Sequence, residues 1–170
     1  MEVSQNGINF IKNEEGLRLT AYQDQAGIWT IGYGSIMYKS GVAVKKGDTI
    51  NEAQAESLLE WEVNLKTSSV SDYVKSVSLN QNQYDSLVDF AYNVGTGALH
   101  GSTLLKRILA DPTDPTITDA FLMWDKIHID GQLVENKGLK ARRLPALLGS
   151  DLCPQARWSA RQPGPRFAPA

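Results

Sequence analysis

Cysteine is almost absent: Cys153 stands alone, so no internal disulfide can form. No run of about 18 apolar residues occurs, which leaves no candidate transmembrane helix. The first residues, MEVSQNGINFIKNEEG, lack a basic segment followed by an apolar one. No signal peptide and no membrane anchor are therefore expected, and the product should accumulate in the cytoplasm of the cell that makes it. Charge of one sign is also lacking, since the formal net charge is −2, which argues against nucleic acid as the main partner. Proline is scarce before residue 150: four of the seven prolines lie in residues 151–170. That segment also holds Arg157, Arg161 and Arg166, and lacks helical or strand periodicity, so it is expected to be a disordered or non-native-like tail. Residues 152–170 carry those three positive charges and no acid, and subtracting +3 from the net charge of −2 leaves residues 1–151 at −5.

What remains is an ordinary globular composition, 42% hydrophobic and 21% charged over 170 residues. That length fits one domain with room for two lobes. Helix signals punctuate the chain. Ser4 is a candidate N-cap and Gly16 a candidate stop for a first helix. Residues 19–34 read as two strands about a turn at Gln25-Ala26-Gly27, followed by extended chain with turns near Gly41 and Gly47. Asn51 with Gln54, and Asn80 with Gln83, have capping-box spacing. The first opens a long helix with Ala55, Leu58, Leu59 and Glu62 at helical spacing, with Thr67-Ser68-Ser69 as a candidate break before about residue 75. The second opens a helix with Tyr84, Leu87, Val88, Ala91 and Tyr92 on one face. Further helices are expected from Ser102, from Thr116 to near Trp124, and from the segment KGLKARRL, with a small hairpin at Asp130-Gly131.

The stretch NEEGLRLTAYQDQAGIWTIGYG, residues 13–34, carries the chemistry. Ile8, Ile11 and Glu15 share a helix face, so Glu15 emerges from the apolar side at the last turn, whereas Glu14 points about 100° away. The negative end of a helix and partial burial both favour the protonated form of a carboxyl group, as a general acid requires. If the turn is a three-residue loop, Asp24 faces Ile28 and lies diagonally across from Thr30. Such neighbours are about 7–8 Å apart, room for one water between a carboxylate and a hydroxyl. Gly32 and Gly34 continue the parity of Thr30 and strip that face of side chains, so a ligand can approach the backbone. Each residue alone has a plainer explanation: a surface glutamate, a turn-starting aspartate, a strand-forming threonine. Together, two carboxyl groups in unlike settings suggest glycoside hydrolysis, with Glu15 protonating the leaving oxygen and Asp24 acting as base on water or as nucleophile.

Glu15, Asp24 and Thr30 at this spacing, followed by IGYG, resemble the catalytic signature of phage-type lysozymes, glycoside hydrolase family 24. Residues 79–108 resemble the central helices of the lambdoid branch and GLKARR the start of the late family helix, so the likeness covers roughly residues 8–144. The resemblance implies an α+β, mostly α fold, lysozyme-like, with a small β-hairpin lobe and a larger helical lobe joined by a long helix. Residues 1–150 would form one catalytic domain, the β lobe taking about 17–50 and the helical lobe about 51–150 with the first helix. It implies an endolysin, a muramidase cleaving the β-1,4 bond between N-acetylmuramic acid and N-acetylglucosamine in peptidoglycan, usually with inversion. In that pattern Glu15 is the acid, and Asp24 and Thr30 hold the attacking water. Arg142, or Arg143 in a shifted register, matches the arginine that approaches the acid. Ile36 and Tyr92 match cleft positions, and Ser102 and Thr103 a polar sugar contact. No metal or cofactor is expected. A monomer is expected, made in the host cytoplasm and acting on the cell wall after release by a separate holin.

Two departures stand out. Ser35 follows the GYG run where the family usually has histidine, which removes a histidine–aspartate pairing. Pro145 interrupts the last helix, which is therefore expected to be short or displaced. A lytic transglycosylase is the nearest alternative, although a water-activating Asp24–Thr30 pair has no obvious use there. A catalytically silent glycan-binding domain on the same fold is the other.

Overall fold

The computed structural model describes residues 1–24, 26–129 and 132–148. The expected turns at Gln25 and at Asp130-Gly131, and the tail at 151–170, fall wholly or partly outside these residues. Along the chain lie α1 (Gln5–Glu15), β1 (Arg18–Gln23), β2 (Trp29–Gly32), α2 (Glu52–Val74), α3 (Gln81–Val94), α4 (Thr96–Gly101), α5 (Thr103–Ala110), α6 (Ile117–Leu122), β3 (Lys126–Ile129), β4 (Gln132–Glu135) and α7 (Lys137–Leu148). The strands form two antiparallel pairs, β1 with β2 and β3 with β4. The architecture is α+β and mostly α.

Local signals explain where most helices begin. The Ser4 side chain accepts the Gly7 N–H. Both capping boxes form, Asn51 with Gln54 ahead of α2 and Asn80 with Gln83 ahead of α3. Side-chain oxygens there satisfy N–H groups that the first helical turn leaves unpaired. Helix α2 does not break at Thr67-Ser68-Ser69. Thr67, Val70 and Val74 are all buried in its core-facing row, and that packing outweighs the weak helix preference of the serines and threonine. Helix α7 does not stop short of Pro145 but continues to Leu148. Its first turns are anchored by an Asn136 cap to the Leu139 N–H and by two buried arginines, so the proline forfeits a backbone bond beyond the anchored part. The short α4 inside the glycine-rich NVGTGALHG stretch had no sequence signal of its own.

Two apolar clusters organise the molecule. Ile31, Val44 and Leu58, with Trp29, Tyr38 and Ile50 against them, form the smaller one, beneath the β1–β2 hairpin and the following extended chain. The larger one takes Ile11 from α1, Ala55, Leu59, Val63 and Val70 from α2, Leu87, Val88, Phe90 and Ala91 from α3, and Leu104, Ile108 and Phe121 from α5 and α6. Helix α2 thus serves both clusters and holds the hairpin against the helices. At the centre of the larger one, α3 is buried continuously from Gln83 to Ala91, so its two aspartates need partners within the protein. Asp85 finds one in the N-terminal segment, accepting the Ser4 N–H at 2.9 Å.

That docking is tight. A Cβ at Gly7 would lie 2.8 Å from Val3 Cγ2 and 2.9 Å from Asp85 Cγ. Gly7→Ala should therefore destabilise the protein by about 1–3 kcal/mol through overpacking. Urea unfolding measures this, and an unchanged midpoint would mean that α1 is not fixed against α3 in this way.

Candidate active site

Glu15 is the last residue of α1. Gly16 ends the helix with φ 69°, a conformation that favours glycine, and its N–H closes on the Lys12 carbonyl at 3.0 Å. The chain turns away there and leaves the Glu15 side chain half-buried, while Glu14 is exposed. Arg142 Nη1 donates to Glu15 Oε1 at 2.7 Å. The other oxygen is close to Gly34: a Cβ there would sit 3.7 Å from Oε2. Gly34 also has φ 103°, so glycine serves both its backbone shape and the open approach to the acid.

Arg142 comes from α7 and is buried. Its Nη2 and Nε both donate to Asp89 of α3, with Nη2–Oδ1 at 2.7 Å and Nε–Oδ1 at 3.1 Å. One guanidinium therefore holds two carboxylates. Burial alone would pull its pKa down, but Asp89 and then Glu15 outweigh it, and the net shift is upward. Burial raises the Asp89 carboxyl, and Arg142 opposes that. The guanidinium keeps its proton, and Nε and Nη2 both aim N–H groups at the Asp89 oxygens, the geometry of an ion pair. Of the two arginines, Arg142 meets Glu15, while Arg143 donates from Nη2 to Asn93 and lies 4.9 Å from the Phe90 ring centroid. Burial lowers the Arg143 pKa, and its Nε and Nη1 have no partner among the described residues.

The hairpin has the expected geometry. Tyr22 pairs with Thr30, and the Asp24 N–H donates to the Ile28 carbonyl at 3.0 Å. Asp24 Oδ1 accepts from the Ala26 and Ile28 N–H groups at 2.9 and 2.8 Å. The turn thereby fixes the carboxylate through one oxygen. Oδ2 has no hydrogen-bond partner among the described residues. Thr30 is buried, and its hydroxyl donates to the Ile28 carbonyl at 3.1 Å.

A cavity of about 430 Å³ opens beside Glu15. Gly34, Ile36 and Met37 line it from the hairpin side, Trp61, Glu62, Leu65 and Lys66 from α2, and Tyr92 and Asn93 from α3. Ile36 and Tyr92, both singled out in the sequence, lie on its walls. The Tyr92 hydroxyl lies 3.0 Å from Glu62 Oε2 and 3.0 Å from the Tyr33 carbonyl, joining α3, α2 and the hairpin side. Burial, and then Glu62, push the Tyr92 phenol well above its usual pKa, so it stays neutral. Asp24 and Thr30 are not on these walls. Nor are Ser102 and Thr103. Ser102 is buried as the N-cap of α5, accepting the Leu105 N–H and donating to the Leu99 carbonyl, so the fold uses its hydroxyl fully. Thr103 is exposed. Ser35 is 1% exposed, its hydroxyl unpartnered among the described residues, while its backbone pairs with Ile31.

Asp89, Glu62, Trp61, Lys66 and Asn93 were not identified as site residues from sequence. Asp85 and Asp89, one turn apart among apolar residues, were the available signal for buried carboxylates. Among the described residues no group of three or more His, Cys, Asp or Glu could hold a metal ion, and no helix is long and apolar enough to cross a membrane.

A helix-end glutamate over a cleft between a hairpin and a helical body, with a second carboxylate on the hairpin, defines the lysozyme class of glycoside hydrolases. Residues 12–145 match the phage lysozyme family. The endolysin of Salmonella phage P22 is 38% identical over 144 residues, spanning 85% of this chain and 97% of that protein. A solved endolysin from Escherichia coli O157:H7 phage FAHEc1 matches with a TM-score of 0.77 at 40% identity, covering 85% of this chain and 89% of that one. The muramidase domain of SpmX from Asticaccaulis excentricus matches with a TM-score of 0.75 at 31% identity, over 84% of this chain and 92% of that one. The chain belongs to the phage lysozyme family, and is an endolysin-type glycoside hydrolase with muramidase activity.

Removing Asp89 would leave the buried guanidinium with Glu15 as its one carboxylate partner among the described residues and two of its donors unmatched. Asp89→Ala should cost about 3–5 kcal/mol of stability, the usual penalty for breaking a buried ion pair from one side. Guanidinium chloride unfolding reads this directly; a loss below about 1 kcal/mol would show that the pair is solvated.

Proposed function

We propose that the chain hydrolyses the β-1,4 bond between N-acetylmuramic acid and N-acetylglucosamine in peptidoglycan, with Glu15 as general acid and Asp24 and Thr30 holding the attacking water. The observation that carries this is the divided environment of Glu15. Oε1 is occupied by Arg142, while Oε2 lies near the bare backbone of Gly34 at the cleft. The transferable proton is then carried on Oε2, facing the substrate. Asp89 matters because Arg142 reaches Glu15 as half of an ion pair, not as an uncompensated positive charge.

The hairpin bonds suit the second half of the reaction. The Thr30 hydroxyl spends its proton on the Ile28 carbonyl, so toward a water it can only accept. Asp24 Oδ2 also only accepts when ionised. A water donating one hydrogen to each keeps a lone pair for the anomeric carbon. In the displacement that oxygen forms the new bond to the anomeric carbon, Asp24 takes the water's proton, and Glu15 delivers its own proton to the departing glycosidic oxygen. Attack from the face opposite the acid inverts the anomeric centre. Residues 1–150 acting as one monomeric catalytic domain, and release from the cytoplasm to the wall by a separate holin, complete this reading; the likeness to whole endolysins supports it.

Glu15→Gln should lower cleavage of purified peptidoglycan by about 10²–10⁴-fold with thermal unfolding nearly unchanged. Mass spectrometry of the wild-type products should find reducing ends, because water is the nucleophile. Anhydro sugar ends would assign a transglycosylase instead, and undiminished cleavage by the variant would remove Glu15 from the chemistry.

A further inference from the structure

The acid–base chemistry makes no use of one charged group in the cleft. Helix α2 presents two rows to the cavity, Trp61 with Leu65 and Glu62 with Lys66, each pair one turn apart. Glu62 is engaged by the Tyr92 hydroxyl. Lys66 is half-buried, with its Nζ 5.4 Å from the centroid of the Tyr92 ring, and it makes no ion pair or hydrogen bond among the described residues. Of the other cations nearby, Arg142 is committed to Asp89 and Glu15 and Lys12 to Glu56, while Arg143, which bonds Asn93 through Nη2, is not among the residues that line the cavity. The contact with the ring holds the ammonium over an aromatic face that cannot ionise at working pH, and leaves its N–H donors available.

The cleft also holds Glu62, whose carboxylate opposes an anionic ligand. An acidic strand settles there more readily where a cation offsets it, and Lys66 is the lysine or arginine on the cavity wall among the described residues. We propose that Lys66 is a specificity-determining residue that binds a carboxylate carried by the glycan strand, so that the cleft prefers muramyl polymers to uncharged N-acetylglucosamine polymers. This rests on the muramidase reading above. Trp61 and Leu65 beside it offer an apolar shelf for a sugar face, which positions the strand without regard to its charge. The carboxylate has two possible sources in such a strand, the free lactyl group of a muramyl residue without peptide and the acidic residues of a stem peptide.

The test uses the Glu15→Gln background, to prevent turnover, with and without Lys66→Gln. Tryptophan fluorescence measures binding of three ligands: an N-acetylglucosamine tetramer, a tetrasaccharide of alternating N-acetylglucosamine and N-acetylmuramic acid, and that tetrasaccharide bearing stem peptides. Lys66→Gln should weaken at least one acidic ligand about tenfold and leave the neutral tetramer unchanged. Loss confined to the peptide-bearing ligand assigns the stem carboxylates, and loss on the bare tetrasaccharide assigns the lactyl group. Lys66→Arg, which keeps the charge, should restore most of the binding. Equal loss on all three ligands, or none on any, overturns the proposal. Peptidoglycan cleavage by the unmodified chain is assayed alongside. Its failure would sink the muramidase reading, whereas normal cleavage with a Lys66→Gln effect on no ligand would sink this inference alone.

Discussion

The guanidinium of Arg142 is the constraint on which the site depends. It joins Glu15 at the end of α1, Asp89 in the middle of α3 and its own helix α7, partners 127 and 53 positions away along the chain. A buried cation of this kind is tolerated only when its donors are matched, since an unpaired charge in the interior is strongly destabilising. The placement of α7 against α3 and the placement of Glu15 are therefore one problem with one solution. Tyr92, one turn beyond Asp89 less a residue, repeats the pattern more gently by linking Glu62 to the Tyr33 carbonyl across the cleft. Helix α3 is the internal post from which both arrangements hang, which explains why it is buried along most of its length yet carries polar groups.

The hairpin obeys local rules. Asp24 is at once a turn residue and the proposed water ligand, and these roles do not compete. The turn takes Oδ1 through two backbone N–H groups and leaves Oδ2 open. Thr30 shows the same economy, since its bond to the Ile28 carbonyl fixes which way its proton points. Ordinary strand and turn chemistry thereby orients the groups on this side of the site, without a third side chain to hold them. Ser35 fits less comfortably: nothing in the structure explains why a buried hydroxyl without a partner among the described residues stands at that position.

The limits of sequence reading follow distance. Caps, helix stops and the hairpin register depend on groups within about four residues, and Ser4, Asn51, Asn80 and Gly16 all perform as their spacing implies. The misreadings have tertiary causes. Thr67-Ser68-Ser69 did not break α2 because a buried row runs through it, and Pro145 did not end α7 because anchored turns precede it. Ser102, which the family resemblance offers as a sugar contact, is the buried N-cap of α5, the helix start that its position in the sequence also implied.

By itself, the sequence determined where the capped helices begin, the helix face from which Glu15 rather than Glu14 emerges, and the diagonal placement of Asp24 and Thr30 on the hairpin. These are consequences of 3.6- and 2-residue periodicities acting over a few positions. Only the tertiary structure decided that Arg142 and not its neighbour meets Glu15, that Asp89 shares that arginine, and that Trp61, Glu62, Lys66 and Tyr92 form walls of the cleft. Adjacent residues on a helix point about 100° apart, so which of two arginines faces inward depends on how the whole helix is docked, and docking is set by burial and charge pairing summed over segments far apart in the chain.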